Sequence, residues 1–173
     1  MKNGYRNAYM QLDRVVVMDR SEVVDFIINE SSLLDNRKFD EWLSLFAEDG
    51  VYWVPAAHGQ QDHLTHVSLF YDDIGTLRTR VARLNHPQLH CQAPVSQSVR
   101  VLGMPRIVAL ENRTAVASCN FIMVEDRIDA PKRVFAGELE YTLVKSDDGI
   151  RIKRKKAQLT DCDQSFPAVV VPF

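Results

Sequence analysis

The sequence predicts an α+β fold in which N-terminal helices pack against a long, mainly antiparallel sheet. Apolar residues recur at helical spacing in the N-terminal half and alternate with polar residues in the C-terminal half. A hairpin turn, Ser146-Asp147-Asp148-Gly149, joins the last two alternating segments. Helices followed by strands are typical of a layered α+β domain. Because long sheets twist, this one is expected to curl around the helices as a cone or half-barrel.

Two helices are predicted before the first strand. The first runs over residues 21–35 with Ser21 as its N-cap. Its predicted core-facing residues are Val24, Ile27, Ile28, Leu33 and Leu34. The second is short and covers residues 38–46, where Phe39, Trp42, Leu43 and Phe46 recur at helical intervals. Gly50 is predicted to break this helix before the chain continues as a strand.

The strands are predicted from the alternation of apolar and polar residues and from the residues that end each segment. Residues 51–54 are predicted to form a strand that Pro55 stops, residues 56–62 a loop, and residues 64–71 a second strand. In the C-terminal half, half-buried strands are predicted at residues 95–102, 115–125, 134–145 and 150–160.

A third helix with an arginine-rich face follows the second strand. Asp73 is predicted to cap it, because a carboxylate there accepts a free N–H of the first turn and favours the positive helix end. One apolar stripe is formed by Ile74, Leu77, Val81 and Leu84, while Arg78, Arg80 and Arg83 lie outside it. An ordinary amphipathic helix on a sheet accounts for all of these residues.

Composition limits the class of protein. At 173 residues the chain is predicted to be one domain, with residues 1–20 as an N-terminal arm. A net charge of −2 argues against a nucleic-acid partner, and no segment resembles a secretory signal or a membrane span. The three cysteines, Cys91, Cys119 and Cys162, are widely spaced, which favours free thiols in a cytoplasmic protein over disulfides or structural zinc.

The five histidines and three of the acids are candidates for chemistry. The trio His58, His63 and His66 has a spacing that matches no common zinc pattern, and loop or interface roles are favoured over metal binding. His86 and His90 are four residues apart, but Pro87 opposes a continuous helix between them. A carboxylate inside a cone could act as a general base. The candidate acids are Asp49, Asp72 and Asp73, with Tyr52 and Tyr71 as donors, and structural roles are favoured for them.

Two segments near the end of the chain leave alternatives open. Strict alternation over residues 151–156 puts Ile152 on one face and Lys155 on the other. This basic run is interpreted either as a solvated strand tip or as a rim that meets acidic groups of a partner subunit. The apolar tail, residues 166–173, is expected to dock either into its own cone or against a neighbour.

Several motifs in order resemble one known family. Tyr71-Asp72-Asp73, Leu77 and Arg80-Val81-x-Arg83-Leu84 resemble the small (β) subunit of Rieske-type aromatic-ring-hydroxylating dioxygenases. Residues 33–46, 49–55, 96–101, 134–138 and 151–156 are similar to the helix pair and strands of that subunit, in the same order. The likeness covers residues 21–173. One departure is visible at residues 94–100, where many family members are richer in arginine than Gln97 and Val99 are.

The resemblance implies a fold and a function. The fold would be the cystatin-like cone shared with nuclear transport factor 2 and ketosteroid isomerase. The chain would be a noncatalytic structural subunit of a dioxygenase complex, an oxidoreductase, with no catalytic, cofactor-binding or metal-binding residue of its own. The Rieske [2Fe–2S] cluster and the non-haem Fe(II) would lie in the catalytic α subunit, and NAD(P)H would act through a separate reductase. This chain contains no Cys-x-His pair, which a Rieske cluster needs.

The resemblance also implies partners. Similar proteins form a β trimer beneath an α trimer, an α3β3 hexamer, whose closed symmetry needs two different patches on each protomer. Candidate contact residues, chosen as exposed arginines and aromatics with their neighbours, are Trp53, Pro55, Tyr71, Asp72, Arg78, Arg80, Arg83 and Arg100. By general likeness, residues 101–107, taken as a strand, and the compact N-terminus resemble the branch of the family that acts on aromatic carboxylates such as benzoates.

Two other functions stay open on the sequence. A free-standing cone-fold isomerase or dehydratase would have a ligand-sized cavity and a buried carboxylate base. A small binding or scaffold domain of an unrelated pathway would have neither that chemistry nor an α partner.

Overall fold

In the described residues, two helices and two strands are followed by a third helix and five further strands. The computed structural model describes residues 17–87, 89, 92, 94–165 and 169–173. The elements are α1 (Arg20–Asp35), α2 (Phe39–Ser44), β1 (Phe46–Pro55), β2 (Ser68–Asp73), α3 (Ile74–Leu84), β3 (Gln97–Leu102), β4 (Arg106–Leu110), β5 (Thr114–Asp126), β6 (Arg133–Ser146) and β7 (Gly149–Leu159). The α+β class is confirmed.

The strands form one curved, mixed sheet around the helices. Its order is β2-β1-β7-β6-β5-β3, and β4 also pairs with β5. Only the β1–β7 pair is parallel among the pairs of described strands. The three helices and the concave face of the sheet enclose one apolar core. No helix in the described part of the chain combines the length and apolar composition needed to cross a bilayer.

Helix α1 begins earlier than predicted and faces the core differently. Its N-cap is Asp19, whose carboxylate accepts the Glu22 N–H at 2.9 Å, while the Glu22 carboxylate accepts the Asp19 N–H at 3.0 Å. This reciprocal capping box satisfies two free N–H donors. Asp19 is therefore the N-cap in place of the predicted Ser21, which lies inside the helix. Ile28 is 52% exposed and Val23 is buried, so the predicted apolar face is rotated.

The predicted C-terminal end of the second helix was wrong, and so was the predicted role of Gly50 as the residue that breaks it. α2 stops at Ser44, and Phe46 already belongs to β1. Gly50 lies within that strand, where the pairing of β1 with β7 shifts register. A Cβ at Gly50 would lie 2.8 Å from the main-chain oxygen of Ile152. Gly50 therefore permits close strand approach at an irregularity instead of ending a helix.

Two further strand boundaries differ from the prediction. β2 begins at Ser68, because the Asp62 carboxylate accepts the N–H groups of Leu64 and Thr65 and holds that stretch as a loop. The segment at residues 101–107 is not one strand: β3 ends at Leu102, and β4, which the periodicity did not reveal, begins at Arg106. The predicted hairpin between β6 and β7 is confirmed, with Gly149 at φ 111°.

Gly137 in β6 is expected to tolerate no side chain. A Cβ there would lie 2.1 Å from the main-chain oxygen of Gln158 on β7. We expect Gly137→Ala to lower the free energy of unfolding by about 3 kcal/mol, since rigid backbone must shift. Gly75→Ala is the matched control: outside its own helix backbone and chain neighbours, the atom nearest to its Cβ is an Asp73 carboxylate oxygen at 3.6 Å, and helical alanine should raise stability by about 0.5–1 kcal/mol. Urea unfolding of both variants checks this, and equal effects would contradict it.

Candidate functional site: the arginine helix and the cone interior

Helix α3 forms as predicted and presents two exposed arginines. The Asp73 carboxylate accepts the Thr76 N–H at 2.8 Å, and this bond holds the pKa of Asp73 below its usual value. The stripe of Leu77, Val81 and Leu84 is buried, with Ile74 partly buried beside it. Of the three arginines outside this stripe, Arg78 and Arg83 are exposed to solvent.

Arg80 is engaged inside the chain. Its Nε lies 2.5 Å and one terminal nitrogen 3.1 Å from the two oxygens of Asp72, which is itself buried. The guanidinium also lies 4.0 Å from the centre of the Phe70 ring. This bidentate pair fixes the corner between β2 and α3. Among the predicted contact residues, Asp72 and Arg80 therefore have a structural role within this chain.

The predicted contacts on β1 are mostly covered by the chain itself. Trp53 is buried on the outer face of the sheet, where Lys156 and Arg154 lie 5.3 and 5.8 Å from its ring centre. Pro55 is also buried. Tyr71 is 38% exposed and stacks on His63, with ring centres 3.6 Å apart. Within this chain Trp53, Pro55 and Asp72 are buried, whereas Tyr71 remains accessible, and the role of these residues as subunit contacts stays a prediction.

The basic run of β7 does not alternate strictly. Thr142 pairs with Arg154 and Leu143 with Ile152, which leaves Lys153 as a bulge in β7. The extra residue changes the parity of the strand, so Ile152 and Lys155 are both buried, contrary to the prediction. The outward residues are paired within the chain: Lys153 with Asp49, and Lys156 with Glu140 at 2.9 Å.

Arg100 is an internal residue. Its guanidinium pairs with Asp35 and also donates to the main-chain oxygen of Pro172 at 2.5 Å, and its side chain is 1% exposed. The Asp35 carboxylate also accepts the Arg100 N–H at 2.9 Å. Arg100 is therefore not exposed in the single chain, and its role as a subunit contact stays a prediction.

The interior of the cone holds a polar cluster that the sequence reasoning missed. Glu30 and Lys155 are both 0% exposed, and the Lys155 Nζ lies 2.6 Å from a Glu30 oxygen. The Glu30 carboxylate also accepts the Tyr141 hydroxyl at 3.0 Å and the Trp42 indole N–H. Burial lowers the pKa of Lys155, while Glu30 opposes that shift. Helical spacing from Ile27 and Leu34 could have placed Glu30 on the buried stripe.

The C-terminal tail also enters this interior. Phe173 is fully buried, and its ring centre lies 5.2 Å from Phe135 and 6.3 Å from Phe121. Its N–H donates to the Tyr52 hydroxyl oxygen at 2.9 Å, and burial raises the pKa of Tyr52. Docking of the tail into its own cone is confirmed for residues 169–173, and residues 166–168 lie outside the described part.

The candidate general bases Asp49, Asp72 and Asp73 do not face the interior as free groups. Asp49 is exposed, and Lys153 holds its pKa below the usual value. Asp72 is bound to Arg80, and Asp73 caps α3. Among the described residues, Glu30 is a fully buried carboxylate, and it already accepts three hydrogen bonds. The arrangement therefore holds a structure together and leaves no carboxylate in this set poised for proton abstraction.

One group of three metal-ligating side chains occurs among the described residues. The ligand atoms of His58, Cys162 and Asp163 lie within 4.8 Å of one another. His63 instead stacks on Tyr71, and His90 and Cys91 lie outside the described residues. A Rieske cluster needs two cysteines with two histidines, and a non-haem iron needs two histidines with one carboxylate. The donor set of His58, Cys162 and Asp163 fits neither group.

Comparisons with known proteins agree on one family. The family described as "Ring hydroxylating beta subunit" matches residues 29–164. The small oxygenase component of the p-cumate 2,3-dioxygenase system of Pseudomonas putida is 34% identical over 85% of this chain and 82% of its own length. The small subunit of 2-halobenzoate 1,2-dioxygenase from Burkholderia cepacia is 32% identical over 80% of this chain and 86% of its own length.

The solved structures agree on the fold. The β subunit of benzoate 1,2-dioxygenase from Burkholderia mallei aligns with a TM-score of 0.69 and 22% identity, covering 83% of this chain and 91% of that one. The predicted cystatin-like cone, with helices packed in a curved mixed sheet, is confirmed.

Proposed function

Because this chain belongs to the family of ring hydroxylating β subunits, we propose that it is the noncatalytic structural subunit of a bacterial aromatic-ring-hydroxylating dioxygenase. It is a component of an oxidoreductase complex. Its own part is to fold as a rigid cone and to support the catalytic α subunits. We place the Rieske [2Fe–2S] cluster and the non-haem Fe(II) in the α subunit, and the use of NAD(P)H in a separate reductase.

The filled cone interior is the observation that carries this proposal. In a free-standing cone-fold isomerase or dehydratase, the interior would hold the substrate and a base. Here it holds the Glu30–Lys155 pair and Phe173, and all three are fully buried. The interior therefore contributes rigidity, which suits a supporting subunit.

The surface supports a role in an assembly. On the outer face of the sheet, Val99 pairs with Val124, Val124 with Val134, and Val101 with Ile122. Residues paired across strands share one face, so these side chains form one apolar patch. Val99, Val101 and Val134 are more than half exposed within it. Such contiguous apolar patches mark protein contact surfaces, and we propose that a neighbouring subunit covers this one.

Helix α3, which carries the exposed arginines Arg78 and Arg83, offers a second surface that is charged. A groove of about 360 Å³ runs between α3 and the tail, with Leu84, Val169 and Val170 in its lining and Arg83 beside them. We propose that Arg78, Arg83 and Tyr71 are contacts with another subunit, since exposed guanidinium and phenol groups anchor interfaces. Two unlike surfaces on one protomer suit a closed ring of β subunits bound to α subunits, an α3β3 hexamer.

The substrate of the complex is proposed to be an aromatic carboxylate. The two relatives reported above are named for p-cumate and 2-halobenzoate, both of which are substituted benzoates. Choice of substrate would reside in the α subunit. Within the described residues, Cys119 and Cys162 are free thiols, which supports the proposed cytoplasmic location.

Co-purification tests the assembly. We expect a tagged form of this chain, expressed with the α subunit encoded beside it, to retain that subunit in equal molar amount, with a mass by light scattering that fits a hexamer. Expressed alone, the chain should fold and bind no iron above background. A chain that stays separate from the α subunit at micromolar concentration, or that retains iron by itself, would contradict the proposal.

A further inference from the structure

His58, Cys162 and Asp163 bring three kinds of metal-ligating atom together outside the cone interior. A ring nitrogen, the thiol sulfur and a carboxylate oxygen of this trio all lie within 4.8 Å of one another. Cys162 is 2% exposed, whereas His58 and Asp163 are exposed to solvent. Within the described part of the chain, the His58 ring and the Asp163 carboxylate make no hydrogen bond or ion pair. Their donor atoms are therefore available to a cation.

The loop that carries His58 is anchored by the buried side chain of Gln60. The side-chain oxygen of Gln60 accepts the Ala56 N–H at 3.2 Å. Its amide nitrogen donates to the Asp62 main-chain oxygen at 2.9 Å and to the Ser68 hydroxyl at 3.2 Å. These bonds tie the loop to the end of β1 and to the start of β2. The backbone at His58 is therefore ordered before a cation binds, which lowers the entropy cost of binding.

Cys162 and Asp163 lie in a turn that follows β7. The Gln164 N–H donates to the Asp161 main-chain oxygen at 2.9 Å and closes this turn. The Cys162 Sγ accepts a hydrogen bond from the side chain of Gln158 at 3.1 Å, which orients the sulfur. Two separately anchored segments, the loop after β1 and the turn after β7, therefore meet at the trio.

The spacing and chemistry of the three atoms suit zinc. Ligand atoms of one tetrahedral zinc ion lie about 3.4–3.6 Å apart, so the trio needs a closure of about 1 Å, which its two exposed side chains can make by rotation. A soft thiolate with an imidazole favours zinc over magnesium or calcium, and zinc binds such ligands more tightly than Fe²⁺ does. His58 also borders an open groove of about 470 Å³, so water can reach a fourth position on the ion.

We propose that His58, Cys162 and Asp163 form a binding site for one zinc ion, with water as the fourth ligand. As the bond between Sγ and zinc forms, the Cys162 thiol releases its proton to solvent, and no group changes oxidation state. The ion cross-links two segments that are far apart in sequence, and such a cross-link stabilises the folded chain. The family resemblance implies no metal ligand in this chain, and this site is separate from the iron centres placed in the α subunit.

Zinc binding by the isolated chain tests the proposal. The chain is prepared without a polyhistidine tag and is treated with EDTA before use. Titration calorimetry should give one Zn²⁺ per chain, and Zn²⁺ at roughly a hundred times its dissociation constant should raise the Tm by about 5–10 °C. Mg²⁺ at the same concentration should leave the Tm unchanged, since it prefers oxygen ligands. Co²⁺ should give the near-ultraviolet absorption band of a thiolate ligand.

Variants of the trio assign the ligands. His58→Ala and Asp163→Ala change exposed side chains, so both should fold, and each should weaken zinc binding by at least about tenfold. Cys162→Ser should lose the cobalt–thiolate band although Cys119 remains. The matched control is His66→Asn, which removes another exposed histidine of the same loop and should keep the full Tm rise.

Two results would overturn the zinc site. One is a wild-type Tm that does not respond to Zn²⁺. The other is a Tm rise that persists in His58→Ala and Asp163→Ala, because zinc would then be bound elsewhere on the chain. No α subunit and no iron enter this experiment, so its outcome is separate from that of the assembly test.

Discussion

Lys155→Met is expected to lower the free energy of unfolding by about 3–5 kcal/mol, because it leaves the Glu30 carboxylate buried without its counter-charge. The two groups are 2.6 Å apart and both are 0% exposed. Methionine has nearly the length of the lysine stem. The change in the free energy of unfolding therefore reflects the lost charge and not a lost side-chain volume. The same substitution removes the donor to Phe173 and loosens the tail. Urea unfolding followed by circular dichroism measures the change.

Two further variants isolate the charge pair. The double variant Glu30→Gln/Lys155→Met removes both charges and should recover a large part of the stability lost in Lys155→Met alone. Lys153→Met, in the same basic run but 45% exposed, should stay within about 0.5 kcal/mol of the wild type. If Lys155→Met lowers the free energy of unfolding no more than Lys153→Met does, the buried pair does not stabilise the fold as described.

The second large effect is on assembly. Arg78→Glu combined with Arg83→Glu should weaken association with neighbouring subunits by about 2–5 kcal/mol, since two guanidinium contacts become repulsive. Both side chains are exposed on α3, outside its buried stripe, so the Tm of the isolated chain should not change. The amount of α subunit retained on the tagged variant, and the ring-oxidation rate of the mixture, should fall together.

The matched control is Arg113→Glu. Arg113 is also exposed, but it lies in the β4–β5 turn at the other edge of the sheet from α3. It should leave assembly intact. Arg80→Glu is not a suitable probe, because it would break the pair with Asp72 and disturb the fold. If the Arg78/Arg83 variant forms the hexamer as the wild type does, these two arginines of α3 do not contact another subunit.

Local rules predicted the parts of the fold that depend on neighbours in sequence. The cap at Asp73, the buried stripe of α3 and the turn at Gly149 each follow from residues within one or two turns of chain. The start of α1 at Asp19 could also have been predicted from the sequence, because Asp19 and Glu22 have the spacing of a capping box. Ser21 also fits a cap by residue type, since serine is a favoured N-cap.

What could not be predicted depends on pairing between distant segments. Lys155 faces the core because of the bulge at Lys153, which exists only through the register of β6 on β7. Arg100 is internal because Asp35, on α1, meets it across the cone. The family resemblance predicted the cone and the subunit class correctly. Selecting contact residues by type alone could not separate Arg78 from Arg80, since the difference is the buried Asp72.

Ring oxidation by separately purified subunits tests the supporting role of this chain most directly. The rate of aromatic carboxylate oxidation, per iron, should rise when this chain is added to the α subunit with reductase and NAD(P)H, and should saturate at equal molar amounts. The chain without α subunit should convert no aromatic acid. Turnover by the chain alone, or an α-subunit rate that never responds to it, would contradict a supporting role.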